Sequence, residues 1–596
     1  MYSHCKLKNM KGIACTVNTY CILLLIALIS GCAKHLPQPE QPIDFQFVTV
    51  KTGDSLQSLA RQYTGNADLA WRIEEFNGVQ QALAGQEIII PLKPFRPGGM
   101  TANGYQLVPV LSYHNFSRGP SSNKLTVSAK DFREQLHYLK EHNYHVITMD
   151  QLIEFLDYGQ VPERSVLISL DDGWISSYEI AYPLLREFGF NASLFIPTDF
   201  INSGSNRAVS WAQLKEMVSD SIIDIQCHSK SHRDLSTING NESFAEYIRA
   251  VNQDVTKSKQ IIYEKLGKRV TALAYPFGNT NPLVMALLRL QGYKTAFTVN
   301  RQGNPFYLQS LKLNRSMIYG TFSLGQFIKN LDYFKQVDIA PSEPVDTLTP
   351  LAKITAQTPQ HFENNNQWRS ALLAWKLRRD KLLSRLNQIN PNDQNAESEL
   401  LNLKQSIAEA KRKVLELTIK LNDISKQSYL AAIKNMHDDS ARGLLLQTLL
   451  FNPENKAPIE LFQTNMGKNR PLLYQVKASD SFASIASQIY QDPEKAILVP
   501  LFNNNVTDEA DLSEGMKLTL PSIPVEIKIK PSISRKDCHI TLTKDPKAMA
   551  DDFYAIAIEH FNNDKISEAI ENLESALCLN PNHTQAREML EMLRDL

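Results

Sequence analysis

Apolar residues recur along this chain at more than one period, and each change of period marks a segment. Trp368, Leu372, Trp375, Leu382, Leu386 and Ile389 stand three, four or seven apart. After an Asn390-Pro391 break the same spacing returns at Leu400, Leu403, Ile407, Val414, Leu417, Leu421 and Ile424. That period puts one apolar stripe on each of two helices and predicts an antiparallel helical hairpin or coiled coil over 361–430. It would pack within the chain or act as a spacer or oligomerisation element. Elsewhere the pattern is shorter. Phe47-Val48-Thr49-Val50 predicts a strand, Gly53-Asp54-Ser55 a turn and helix start, Leu59, Ala60 and Tyr63 one helix, Ile73 and Phe76 a second ending at Asn77, and Gly85 to Pro91 a closing strand. This βααβ unit over 46–93 has a second copy over 472–522, with Tyr474 to Phe482, Ile485-Ala486, Asn503 and Gly515 to Pro521 in the matching places. Ser479 stands where the first copy has Gly53, and a turn needing positive φ tolerates Gly best, so an altered loop is expected there.

Two further helical segments, 431–468 and 548–596, share an Asn-Pro ending at Asn452-Pro453 and Asn580-Pro581. In the later one Ala557, Phe561, Ile566, Ala569, Ile570, Leu573, Ala576 and Pro581 have spacings that resemble a tetratricopeptide repeat. Such arrays need at least about three repeats to bury their faces. The segment is therefore expected to pack on the earlier Asn-Pro helix or to dock a protein partner.

At the start, Lys6, Lys8 and Lys11 precede an apolar run from Cys21 to Ile29. It is shorter than the about 20 residues of a membrane-spanning helix and reads as a signal peptide, residues 1–31. Ile29-Ser30-Gly31-Cys32 resembles a bacterial lipoprotein box, which implies acylation of Cys32, a Pro- and Gln-rich tether over 32–45, and a lipid anchor in the cell envelope. Ala33, where Asp often retains lipoproteins in the inner membrane, favours the outer membrane, facing the periplasm. Of 7 cysteines, Cys5, Cys15 and Cys21 would leave with the signal. Cys227, Cys538 and Cys578 are too few for a disulfide framework, although a Cys538–Cys578 bridge is allowed in an oxidising compartment. Cys227 ends an apolar strand and reads as a buried thiol. With Lys+Arg 63 against Asp+Glu 63, no overall charge draws in nucleic acid.

The candidate chemistry lies in four short stretches: Pro109 to His114, Ile168-Ser169-Leu170-Asp171-Asp172-Gly173-Trp174, Cys227-His228-Ser229-Lys230-Ser231-His232, and Ala274-Tyr275-Pro276-Phe277-Gly278. An acid pair before Gly is by itself a common strand-ending turn. Adjacent strand residues point to opposite sides, however, so Asp171 and Asp172 are free to do different work. One carboxylate and two imidazoles suit a catalytic divalent ion such as Zn²⁺.

The order and spacing of these stretches resemble the polysaccharide deacetylases of carbohydrate esterase family 4, or NodB homology domain, over 107–335. The segment Phe132 to Leu152 and the Tyr113-His114 pair resemble the branch acting on poly-N-acetylglucosamine. The resemblance implies a multidomain α/β chain built on a distorted (β/α) barrel, with Asp171 as base, Asp172, His228 and His232 as metal triad, and His114 as acid. It also implies a groove wall at Tyr275 and Pro276, the Tyr275 N–H serving as oxyanion donor. Two family features are missing: an Arg in the third motif, here Leu-Ala-Tyr-Pro-Phe, and a late Leu-x-His, here Leu311-Lys312-Leu313-Asn314-Arg315. The two βααβ units resemble LysM modules, which implies binding of N-acetylglucosamine-containing chains, peptidoglycan among them, through Gly53, Asp54, Ser55 and the segment from Asn77.

The expected activity is metal-dependent removal of acetyl groups from N-acetylglucosamine units of an envelope polysaccharide, either a poly-N-acetylglucosamine exopolysaccharide or peptidoglycan. Two alternatives remain open: a catalytically inactive wall-binding scaffold, supported by the missing motifs, and an O-acetyl esterase on envelope glycan.

Overall fold

The computed structural model describes residues 42–121, 123–203, 205–340, 357–389, 396–435, 440–465, 471–523, 527, 529–530, 545–562 and 566–594. The expected signal peptide, Cys32, the Asn390-Pro391 break and Cys538 lie outside the described residues. At the centre is a parallel sheet of β3 (Val110–Tyr113), β4 (Ser165–Asp171), β5 (Ala192–Ile196), β6 (Ile223–Cys227), β7 (Ala272–Ala274), β8 (Thr295–Phe297) and β9 (Ser316–Met317), numbered after two strands of the first small module, β1 (Phe45–Thr49) and β2 (Glu87–Pro91). Its spatial order is β8-β7-β6-β5-β4-β3-β9, and His145–Val146 adds to the start of β4. Every residue of β4 is buried. A parallel strand covered on both faces can afford no alternating polar side, which is why Ser165 to Leu170 reads as a nearly continuous apolar run. A parallel bridge between Phe297 and Leu313 draws the last segment toward β8, bending the sheet toward a barrel. The carboxyl ends of β3, β4, β6 and β7 lead directly into His114, Asp172, His228 and Tyr275.

The predicted hairpin forms as helices Trp368–Leu386 and Ala396–Lys434. Trp375 is fully buried and donates its Nε1–H to Glu363 at 2.7 Å. The earlier Asn-Pro helix, Ser440–Phe451, packs within the chain, against the long hairpin helix and against the barrel. Leu449 accepts a hydrogen bond from Tyr158 Oη at 3.2 Å, and Phe462 just beyond stacks on Tyr307 with ring centroids 4.5 Å apart.

Both small modules have the expected βααβ form. In the first, β1 and β2 pair antiparallel around helices Leu56–Thr64 and Ala70–Asn77. It is clamped from two sides. Buried Asp380 of the hairpin accepts the backbone N–H groups of Asp44 and Phe45 at 2.9 and 3.1 Å. On the barrel side Arg96 pairs with Glu75 at 2.9 Å, and the Glu163 N–H also donates to Glu75. In the second module, Leu472–Gln475 pairs with Lys517–Leu520, and Leu498 joins the barrel's own core. The strand Ile529–Lys530 that follows pairs with Ile238–Asn239, a few residues beyond His232. Ser479 stays out of the left-handed region that Gly53 occupies at φ 93°, so the backbone differs at that position as expected, but Asp480 still accepts the Lys477 N–H at 2.7 Å as Asp54 accepts that of Lys51 at 2.8 Å. The aspartate, not the glycine, closes this turn.

The C-terminal helices Pro546–Asn562, Ile566–Leu579 and Thr584–Arg594 correct one of the two alternatives expected for them, packing on the earlier Asn-Pro helix. Among the described residues they bury Ala557, Ala569, Leu573, Ala576, Leu577 and Leu590 against one another and not against Ser440–Phe451. Three amphipathic helices in succession supply enough facing apolar surface to close a small core among themselves. Cys578 is disulfide-bonded.

Burial pushes the Glu75 carboxyl up to about 7, with Arg96 and the Glu163 N–H only partly offsetting it. A carboxyl whose folded pKa lies above its unfolded value holds an extra proton in the docked state. Its contribution is fully present below the unfolded pKa and is lost as pH rises toward 7, on the order of 3 kcal/mol across that window. Amide exchange over Ala70–Asn77 should therefore be slower at pH 5 than at pH 7.5 once corrected for intrinsic rates, and Glu75→Gln should flatten that difference. An unchanged pH response in the variant would show that Glu75 does not set it.

Candidate metal centre and active site

Asp172 follows the last residue of β4 and turns into the left-handed region at φ 73°. This reverses the chain at once, so two adjacent carboxylates leave the strand end for different surroundings. Asp172 Oδ1 lies 3.4 Å from His228 Nε2 and 3.4 Å from His232 Nε2. Two atoms each about 2.0–2.1 Å from a tetrahedral ion stand roughly 3.3–3.4 Å apart, so these separations fit a shared divalent cation. All three donor atoms lie within 4.8 Å of one another.

Each ligand is held from behind. His228 Nδ1 stands 2.8 Å from the Ala274 carbonyl oxygen, which requires a proton on Nδ1 and leaves Nε2 to face Asp172. Trp174 Nε1–H donates to Asp172 Oδ2 at 3.0 Å. The loop carrying both histidines is fixed by Asp254, which accepts the Lys230 and Ser231 N–H groups, and by Ser258, which donates to the Ser229 carbonyl at 2.9 Å. Burial alone would raise the Asp172 pKa, but hydrogen bonds from His228 and His232 hold it well below the usual carboxylate range. Asp172, Ser229, His232 and Phe277 all have φ between 59° and 73°. Such left-handed residues cost of order 1–3 kcal/mol each, and their gathering here marks a segment shaped for function rather than for stability.

Asp171 faces the barrel interior and is 1% exposed. Arg315 Nη1–H donates to its Oδ1 at 2.7 Å, Ser112 Oγ–H donates to Oδ2 at 3.2 Å, and His114 Nε2 stands 3.9 Å from Oδ2. Arg315 is itself 1% exposed, donates Nε–H to the Thr298 carbonyl at 3.1 Å and lies over the rings of Phe195 and Phe297. Burial pushes the Asp171 pKa up, but the positive charge of Arg315, with His228 and His114, outweighs it and holds the carboxyl below its ordinary value. Asp171, the expected base, is therefore held ionised and fixed in orientation. Cys227, expected to be a bland buried thiol, is buried and free, and donates to Ser258.

The structure brings His114, Asp171, Asp172, His228 and His232 together as predicted, but it corrects Tyr275 and Pro276. The Tyr275 N–H continues the sheet ladder by donating to Phe297 O at 3.0 Å, so it is not free for an oxyanion. The Tyr275 side chain is fully buried with its hydroxyl donating to Leu311 O at 2.8 Å, and Pro276 is buried too, so neither lines a groove. Phe277 reaches the site instead, its ring 5.1 Å from that of His232. Arg315, Ser112, Trp174 and Asp254 were not anticipated. Arg315 had appeared in the sequence only as part of a missing motif.

In the first small module Gly53, at φ 93°, has open space beside it, Asp54 holds the turn, and Ser55 caps the helix by accepting the Ser58 N–H. Asn77 corrects the expectation of a glycan contact. Its Oδ1 accepts the Ile89 N–H, and its Nδ2 donates to the Ile73 and Ile89 carbonyls, so the amide is committed to tying helix to strand. Asn503 makes the same bonds in the second module, to Val499 and Thr519. There the Phe482 N–H donates to Glu509 Oε1 at 2.9 Å, bridging the two loops between which the expected groove would lie. In the first module Leu83, in the corresponding later loop, is 56% exposed.

Comparison with known proteins bears on both parts. Residues 158–296 match the polysaccharide deacetylase family and residues 48–91 match the LysM domain. A poly-beta-1,6-N-acetyl-D-glucosamine N-deacetylase of Staphylococcus aureus is 25% identical over 231 residues, 37% of this chain and 78% of that one. Among solved structures, the Streptococcus pyogenes deacetylase PplD in complex with acetate is 24% identical with a TM-score of 0.35, covering 38% of this chain and 99% of its own. IcaB from Ammonifex degensii is also 24% identical, with a TM-score of 0.33, covering 38% and 97%. The chain thus carries a polysaccharide deacetylase domain, which makes it a hydrolytic deacetylase, joined to a LysM domain.

Proposed function

We propose that the protein removes acetyl groups from N-acetylglucosamine units of an envelope polysaccharide, in a reaction that depends on a divalent metal ion held by Asp172, His228 and His232. The observation that carries this reading is the division of labour at β4: one carboxylate completes a metal triad, while its neighbour is kept ionised by a buried guanidinium. The same observation speaks against an inactive scaffold, because Arg315 supplies the cationic partner that the third motif lacks.

The residues then act in sequence. When bound, the ion supplies Lewis-acid polarisation of the acetamide carbonyl and a lower pKa for water. Asp171 accepts a proton from the attacking water, and Arg315 keeps its carboxylate oriented. His114, 3.9 Å from Asp171, stands where it can protonate the departing amine. With the Tyr275 N–H used in the sheet and none on Pro276, the Phe277 N–H is the next donor along the chain for the oxyanion. Zn²⁺ suits a carboxylate and two imidazoles.

The polymer is read as poly-β-1,6-N-acetylglucosamine, because a relative named for that activity is 25% identical over 231 residues. The LysM domain favours a second reading, peptidoglycan, with Gly53, Asp54 and Ser55 on its open side. The bridged loops of the second module argue that it serves as a docked support and not as a glycan clamp. We further read Cys32 as a lipid attachment point that places the enzyme on the outer membrane facing the periplasm.

Asp172→Ala and His228→Ala should lose bound metal and activity together, while His114→Ala should keep the metal and lose about 10²–10⁴-fold in turnover. Metal content beside acetate release separates the two roles, and full metal occupancy in the first two variants would undo the ligand assignment. Acetate release from poly-β-1,6-N-acetylglucosamine oligomers and from peptidoglycan, assayed in parallel with Asp171→Asn as control, should favour the oligomers; faster release from peptidoglycan would reverse the substrate reading. Cys32→Ala should shift the protein from membrane to soluble fractions, and an unchanged distribution would refute lipidation.

A further inference from the structure

Helix Ala396–Lys434 is apolar on two opposite faces. Its inward face buries Leu403, Ile407, Ala410, Val414, Leu417 and Leu421 against the hairpin and the barrel. Yet Leu401, Leu415, Ile419, Leu430 and Ile433 are 60, 45, 54, 57 and 46% exposed. They are five of the eleven large apolar side chains exposed among the described residues, concentrated on one helix. At about 100° per residue they fall within a sector of roughly 60°, about opposite the buried face. A helix with one apolar stripe needs one partner; this helix has two stripes and one of them is uncovered.

We propose that the outward stripe is the contact with a second copy of this chain, the two long helices lying antiparallel. The spacing of the stripe carries the symmetry. Leu401 and Ile433 lie equally far on either side of Leu417, and so do Leu415 and Ile419. In a two-fold antiparallel pair centred at Leu417, Leu401 of each copy meets Ile433 of the other, and Leu415 meets Ile419, so one self-complementary surface closes the dimer. A parallel pair would instead set each residue against itself and leave the palindrome without a purpose.

Charge agrees with the same orientation. Arg412, which pairs with Glu416 of its own helix at 2.6 Å, falls beside Asp423 of the second copy on the same flank of the stripe and adds that carboxylate to its surroundings. Glu397, in the acidic first turn, comes to lie near the end that carries Lys434, and the helix dipoles oppose each other. The stripe spans about 48 Å at 1.5 Å per residue, and a contact one helix wide buries on the order of 500 Å² per copy. That total, about 1,000 Å², sits at the lower bound for a specific interface, so the dimer is concentration-dependent rather than permanent.

Sedimentation of the purified chain between about 1 and 100 µM tests this. The expected result is a monomer–dimer equilibrium that Leu415→Asp with Ile419→Asp abolishes, and that the milder Leu415→Gln with Ile419→Gln weakens at least tenfold, with helix content and acetate release per chain kept. Mixing Leu401→Cys and Ile433→Cys chains under mild oxidation should give a 401–433 crosslink, identified by mass spectrometry, and no 401–401 crosslink. A monomer at every concentration would overturn the proposal, whether the stripe is then covered by the chain's own residues 341–356 or by added anionic vesicles. A dimer indifferent to these substitutions, or a 401–401 crosslink, would overturn it as well.

Discussion

The buried ion pair between Arg315 and Asp171 is the constraint around which the catalytic domain is arranged. Both side chains are almost wholly withdrawn from water, so their mutual charge is felt at low effective dielectric and neither has an alternative partner in solvent. Removing one member of such a pair typically costs about 3–5 kcal/mol because the other is left uncompensated. The pair joins positions 144 residues apart, the residue just before β9 and the end of β4, and so ties the last strand of the barrel to the strand that carries the chemistry. It also settles a conflict of environments. A carboxyl placed that deep would ordinarily protonate, and a protonated Asp171 is no base.

From that point the site divides. Asp171 turns inward to the guanidinium, and Asp172, one residue on and in a left-handed conformation, turns to the imidazoles. The strain at Asp172, Ser229, His232 and Phe277 is sustained because each turn is held from outside: Trp174 on Asp172, Asp254 and Ser258 on the histidine loop, Ala274 on His228. The helix that supplies Asp254 and Ser258 is also the one against which the second LysM-like module docks, at Phe244. The small modules are therefore part of the scaffold. Asp380 and Glu75 hold the first between hairpin and barrel, and Ile529–Lys530 extends the second to a strand just beyond the metal loop.

Much of this was legible in the chain. The four motifs carry the candidate metal triad and the proposed base in an order that the fold converges at the ends of β3, β4 and β6, and short-range periodicity sets the hairpin and both βααβ units. What could not be read depends on contacts over long separations. Arg315 shows in the sequence only as a charged residue after an apolar run; its role appears when β9 is laid beside β3. The Tyr275 N–H was assigned to the oxyanion because the motif says that a donor is there, but not which amide the ladder with Phe297 consumes. Asn77 reads as a polar residue at a loop, and only pairing with Ile89 reveals it as a bracket. The C-terminal helices resemble the earlier Asn-Pro segment, yet similarity between two segments does not imply contact between them.

A double-mutant cycle in kcat/KM for acetate release, comparing Asp171→Asn, Arg315→Met and the two combined, tests the central claim most directly. If Arg315 acts by keeping Asp171 charged and aimed, the combined variant will be little worse than Asp171→Asn alone, since there is no carboxylate left to orient. Losses that simply multiply would mean that Arg315 works on substrate or fold independently, and the account of the site built on this pair would be wrong.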